Sequence, residues 1–215
     1  MYVEGMGNTL KVAVLALVLG FLLGLVVAAV RTFHDQRREE KTGVFLNILN
    51  ILCKIYTTVI RGTPMMVQLL IMAFVIFKSS RNLVGIAALS FGINSGAYVA
   101  EIIRGGLMSV DTGQMEAGRS LGLNYLQTMW YIIIPQAIKN ILPALGNELI
   151  TLLKETSIVT AIGLRDLTKA AQLVTGKTYG GFMALFGVAL IYLAMVMVLT
   201  WLVNRLERRL RNSER

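Results

Sequence analysis

The chain has 215 residues, 55% of them hydrophobic and 15% charged, with a mean hydropathy of +0.66. Soluble domains carry roughly 45–50% apolar and about 25% charged residues, so a disordered chain, a nucleic-acid-coating chain and a soluble domain of this size are all excluded. Lys+Arg number 21 against 12 Asp+Glu, a net charge of +9, which in a membrane protein gathers in cytoplasmic loops.

The first apolar run lies between Lys11 and Arg31, 19 residues without a charge. At about 1.5 Å per residue it nearly spans the ~30 Å hydrocarbon core. Its basic cluster follows the run instead of preceding it, so a retained helix is expected and not a cleaved signal peptide. A second run lies between Arg61 and Lys78 and needs flanking residues to span. A third lies between Arg81 and Glu101. A fourth, about 135–153, contains Lys139, Pro143 and Glu148. The last runs from Phe182 to Val203, 22 uncharged residues. The expected fold is all-α: a polytopic membrane protein of five transmembrane helices in a single domain, 1–215.

Two segments set the orientation: RTFHDQRREEK, with Arg31, Arg37, Arg38 and Lys41, and RLERRLRNSER, with Arg205, Arg208, Arg209, Arg211 and Arg215. Both belong on the cytoplasmic side. Five crossings with the N-terminus outside and the C-terminus cytoplasmic satisfy both. The segment 154–179 fits less well, because it carries Lys154, Arg165, Lys169 and Lys177 on the outer side or within the bundle.

Charge at bilayer depth costs ~2.5–3.5 kcal/mol on insertion scales and turns toward protein or a wet cavity. Asn94, Tyr98 and Glu101 are spaced i, i+4, i+7, on one helix face. Glu148, Thr151 and Glu155 repeat that spacing in the next helix. Gln68 and Asn147 are further polar groups at depth. These faces either meet at a shared cavity that attracts a cation, or hold structural ion pairs: Glu101 with Arg104, and Glu148 or Glu155 with Lys154 or Lys139. Gly20–Gly24 and Gly92–Gly96 carry the GxxxG spacing that lets helix backbones approach. The 11 methionines fill gaps in the bundle.

One cysteine, Cys53, and one histidine, His34, exclude an intrachain disulfide, a cysteine or multi-histidine metal site and a histidine triad. Gly176-Lys177-Thr178 ends like a phosphate-binding loop, but Ala171 stands where the first glycine belongs and no strand precedes it. No nucleotide or metal cofactor is expected in this chain, and no nucleic-acid surface.

Between the third and fourth runs lies an amphiphilic stretch expected on the cytoplasmic side. Asp111 or Thr112 caps a short helix, Gly122 ends it in a left-handed turn, and a second short helix from Tyr125 leads to Pro135. The stretch resembles the cytoplasmic loop of bacterial ABC importer permeases: Glu116, Ala117 and Gly118, then Gly122, then Ile132, Ile134 and Pro135. Gly118 replaces an alanine and Ile134 a leucine of that pattern, and the former is expected to loosen the short helix. Arg61-Gly62-Thr63-Pro64 with Gln68, Ala97 to Gly106, Pro135-Gln136-Ala137, Asn140 to Pro143 and Leu153 to Ser157 resemble the polar amino acid branch.

The resemblance implies a permease subunit in the bacterial inner (plasma) membrane that forms the translocation pathway in a dimer, with the same chain or a paralogue. It implies a cytoplasmic dimer of ATP-binding subunits, which bind ATP and Mg and hydrolyse the ATP, and an extracytoplasmic solute-binding protein. The coupling loop, about 111–124, would dock to the ATP-binding subunit through Asp111, Glu116, Ala117, Gly118, Ser120, Leu121 and Gly122. The acids, with Asn94, Tyr98, Thr151 and Gln68, would hold a polar, basic amino acid: arginine, lysine or histidine, with glutamine as rival. An ion-coupled secondary transporter would use the same acids but leaves the loop without a role. A membrane-embedded enzyme lacks a nucleophile–base or metal set.

Overall fold

The computed structural model describes residues 1–36 and 43–212. Arg37, Arg38, Lys41 and Arg215 of the two basic segments lie outside them. All regular structure among the described residues is helical, as backbone polar groups in lipid require.

The first helix, α1 (Tyr2–Gln36), continues well beyond the predicted apolar run. It is followed by α2 (Val44–Gly62), a span the sequence reading did not include. The chain turns at Thr63–Pro64 into α3 (Met65–Ile71), extended by a π-helical turn to Ile76. These twelve residues rise about 18 Å, too little for a crossing. The predicted span at 62–77 is therefore replaced by α2. A proline start and a π-turn limit the apolar stretch that composition alone made look long enough.

Next come α4 (Leu83–Met108), α5 (Thr112–Ser120) and α6 (Tyr125–Thr128). A π-helical turn, Met129–Ile133, leads into α7 (Ile134–Glu155). A 3-10 turn (Thr156–Ile162) and α8 (Leu167–Thr178) precede α9 (Gly181–Asn212). Among the described residues α1, α2, α4 and α9 are long and apolar enough to cross a bilayer. The helix at the fourth predicted run, α7, is long enough but carries charge.

Helix α1 lies along α4, and the two run parallel. A Cβ on Gly20 would fall 2.9 Å from Ser95 Cβ, and one on Gly24 2.6 Å from Val99 Cγ1. From the other side, a Cβ on Gly92 would meet Leu19 at 2.7 Å, and one on Gly96 would meet Leu23 and the Tyr56 hydroxyl. Both GxxxG pairs thus serve one interface. Parallel packing of α1 and α4 requires the chain to return along the bundle between them, and α2 is the helix there that is long and apolar enough to do so.

Helix α7 runs back against α4: Glu148 touches Ser95, and Ile141 and Ala137 lie against Gly106. At the end holding the α1 N-terminus, Val12, Ala16, Leu69, Phe91, Leu152 and Val159 pack together. Also at this end, Leu167, Ala171, Ala184 and Val188 pack with Tyr2 and Met6. At the opposite end Ala28, Val99, Ile103, Ala137 and Ile141 form a separate core.

The segment 154–179, with its misfit charges, is a folded cap at the α1 N-terminal end. The Asn8 amide donates to the Arg165 carbonyl at 2.9 Å. Asp166, fully buried, caps α8 by accepting from the N–H groups of Thr168 and Lys169. Burial pushes its carboxyl above the usual range, and those donors pull it back. A folded segment follows the charge rule less strictly than a short loop.

Gly24→Ala should lower the thermal midpoint of the solubilised protein by the equivalent of ~1–3 kcal/mol of overpacking. Gly7→Ala, in the same helix with nothing within 4 Å of its Cβ position, should not lower it. Equal effects would contradict glycine-mediated packing.

Candidate functional site

The interior residues of α4 organise the predicted polar groups. Asn94 is buried, and its amide donates to Gln68 Oε1 at 3.0 Å. The Gln68 amide in turn donates to the Ile60 carbonyl at 2.8 Å and to Thr63 Oγ1 at 2.7 Å. This web binds the α2–α3 turn to the middle of α4. One turn further along α4, the half-exposed Tyr98 ring carries the Arg61 guanidinium, its carbon 5.1 Å from the ring centroid. That is cation–π distance.

Ser95 is fully buried beside Asn94, and its hydroxyl donates to Glu148 Oε1 at 2.8 Å. Asn94, Gln68, Tyr98 and Glu148 are thus gathered on adjoining faces of α4. Thr151 is exposed and bonds back to the Asn147 carbonyl of its own helix at 3.1 Å. Glu155 closes α7 and is partly buried.

Glu101 has a different environment. One carboxylate oxygen is paired with the Arg31 guanidinium from α1. The other accepts from Arg104 Nη2 at 3.0 Å and Nε at 3.2 Å. Arg104 also approaches Asp35 at 4.0 Å, and Asp35 lies 3.5 Å from His34. The structural ion pair expected with Arg104 is present, joined by a second partner 70 residues away in sequence. Glu101 therefore locks α1 to α4 and has its charge met. Glu148 and Glu155 belong to none of these pairs.

At the end opposite the α1 N-terminus, α5 and α6 form the expected two-helix projection. The Asp111 carboxylate caps α5 by accepting from Gly113 N–H at 2.7 Å. Gly122 ends it at φ +84°, while Leu123 N–H reaches the Gly118 carbonyl at 3.1 Å. This is the left-handed closing turn that glycine favours. Asn124 and Gln127 form a reciprocal capping box that starts α6.

The structure corrects the reading of Gly118. It does not loosen α5: it is buried, and a Cβ there would fall 2.6 Å from Thr128 Cγ2. The glycine allows α5 to pack on α6 and the following turn. Glu116, Ala117, Ser120 and Leu121 are exposed, and Leu126 and Trp130 add apolar surface. These last two were not singled out from sequence, though an apolar pair in a polar loop was the available signal.

A separate groove of about 420 Å³ is lined by Phe21, Leu25, Ile103, Ala137, Ile141 and Leu145, among others. Its wall is almost wholly apolar, and none of the predicted cargo-binding residues lines it.

Glu101→Gln should destabilise the protein by about 1–3 kcal/mol, because the partly buried Arg31 loses its counter-charge and Arg104 is left with Asp35 at 4.0 Å. Replacing both Arg31 and Glu101 with leucine should recover at least half of the loss in a double-mutant cycle. Additive losses would contradict the pairing.

The family described as binding-protein-dependent transport system inner membrane component matches residues 43–212. The arginine transport system permease protein ArtQ of Bacillus subtilis (strain 168) is 38% identical over 218 residues, covering 98% of this chain and 93% of that protein. The glutamine transport system permease protein GlnP of Escherichia coli (strain K12) is 35% identical over 213 residues, with 97% and 92% coverage. The crystal structure of an amino acid ABC transporter with histidines matches at a TM-score of 0.87 and 41% identity, over 97% of this chain and 93% of that one. The MetNI methionine ABC transporter, in an inward-facing form, shares the fold at a TM-score of 0.77 and 20% identity, with coverages of 98% and 96%. With its membrane helices, its paired GxxxG interface and its α5–α6 projection, the chain belongs to the family of binding-protein-dependent transport system inner membrane components and is a permease of an ABC transporter.

Proposed function

We propose that the chain is the transmembrane subunit of an ATP-driven importer of polar amino acids, with basic ones preferred. Its single transmembrane domain, 1–215, crosses the bacterial cell membrane through α1, α2, α4, α7 and α9, N-terminus outside and C-terminus cytoplasmic. A second permease subunit completes the pathway. The solute-binding protein delivers cargo at the end closed by α3 and α8. The ATP-binding subunits, which hold ATP and Mg, grip α5 and α6 at the other end.

The observation that carries the choice of cargo is Glu148. It is held by a neutral hydroxyl on the central helix and lies outside the Glu101 ion pairs. A carboxylate at membrane depth that enters none of the ion pairs found among the described residues favours a cationic guest. Glu155, two turns away, adds a second acid of the same sign. Glu101 is assigned a positioning role because Arg31 and Arg104 occupy it. A relative named for glutamine keeps that cargo as the second reading.

Coupling follows from rigidity. Gly118 fits α5 against the turn that opens α7, and α4 leads directly into α5. A push on Leu121 and its neighbours therefore moves α4 and α7 together, and these two helices carry Asn94, Ser95, Tyr98 and Glu148.

Glu148→Gln should lower ATP-driven arginine uptake into proteoliposomes by about tenfold or more, the loss of one charge-assisted contact. Unchanged arginine uptake would remove Glu148 from the site. Leu121→Asp should weaken co-purification of the ATP-binding subunit while leaving the thermal midpoint of the permease unchanged. Full retention of that subunit would contradict the docking role.

A further inference from the structure

We propose that Arg61 is the anion-binding residue of the pathway and receives the α-carboxylate of the transported amino acid. The proposal rests on the reading that amino acids cross through this chain, and it names the group that recognises what all of them share.

Arg61 ends α2 with an exposed side chain. A cation at a helix C-terminus is favourable by itself, but that does not account for its place over Tyr98. Contact with a ring face aims the guanidinium and leaves its five N–H donors free for an acceptor. The ion pairs found among the described residues do not include Arg61.

Its backbone is fixed on both sides. Gln68 binds the carbonyl of Ile60, one residue before, and the hydroxyl of Thr63, two residues after, while itself accepting from Asn94. The web holds the cation in register with the centre of α4. A guanidinium is suited to a carboxylate because it donates two parallel hydrogen bonds.

The opposite charge lies nearby. Glu148 is anchored on Ser95, three residues from Tyr98 on the same helix, and such positions are about 5–6 Å apart at Cβ. A resident cation and a resident carboxylate on adjoining faces of α4 match a zwitterion. Glu148 takes the cationic end of the cargo and Arg61 the anionic end.

The test measures equilibrium binding of radiolabelled arginine and glutamine to the purified permease–ATP-binding-subunit complex, without binding protein. Competitors are agmatine and 4-aminobutanamide, the same two molecules without the α-carboxylate. The wild-type complex should prefer at least one amino acid over its decarboxylated analogue by about tenfold or more. Arg61→Gln should remove that preference, and Arg61→Lys, which keeps the charge but not the two-pronged geometry, should retain part of it. An Arg61→Gln complex that discriminates as wild type does, an Arg61→Lys complex that has lost all preference, or a wild-type complex that shows none, overturns the proposal. Binding of glutamine in place of arginine overturns the basic-cargo reading alone, since the carboxylate test then runs on the glutamine pair.

Discussion

Two apolar helices in lipid gain nothing from hiding from water, so their association depends on surface fit and on the few polar bonds they share. In this chain the fit is concentrated between α1 and α4. Gly20 and Gly24 on one helix and Gly92 and Gly96 on the other remove the side chains that would hold the backbones apart. The contact makes α4 the most buried of the long apolar helices. The polar residues of its middle are thereby kept within protein, where they find partners. The polar groups around Asn94, Ser95 and Tyr98 depend on α4 being in that position.

Charge is then divided by location. Toward the α1 C-terminus, Glu101 meets Arg31 and Arg104, and the cluster ties α1 to α4 with its charge mostly balanced. Toward the other end, Glu148 and Arg61 lie on adjoining faces of α4, the first on a serine hydroxyl, the second on a tyrosine ring. Neither of those partners cancels a charge. The same helix thus uses a neutralised cluster for cohesion and opposite open charges for a guest that carries both signs. The α5–α6 projection takes its shape from two caps, the Asp111 carboxylate and the Asn124–Gln127 box, one left-handed glycine and one close glycine contact.

Much of this was legible in the residues. Uninterrupted apolar runs marked α1 and α9, and cap residues at Asp111 and a glycine at 122 marked the projection. The helix α2 was hidden because Asn47, Asn50 and Lys54 break its apolar run. Two polar side chains of that helix turn inward instead: Asn50 is buried, and the Tyr56 hydroxyl donates to the Ile93 carbonyl. The stretch after Pro64 read as a span because composition reports apolarity and not where a helix stops. The Glu101–Arg104 pair was readable from i, i+3 spacing, whereas Arg31 comes from another helix and no local pattern announces it. Gly118 read as a weakness since its reason is a neighbour, Thr128, ten residues on. Arg61 was visible as part of a motif, but its role depends on Tyr98, which only the fold brings to it.

The central claim is that this chain forms an ATP-driven path selective for a cationic amino acid. The most direct measurement is competitive uptake by the wild-type permease and its ATP-binding subunit in proteoliposomes, with labelled arginine, glutamine and glutamate at equal concentration, with and without ATP. The account predicts uptake that requires ATP and falls in the order arginine, glutamine, glutamate. Uptake without ATP, or glutamate entering as fast as arginine, would contradict it.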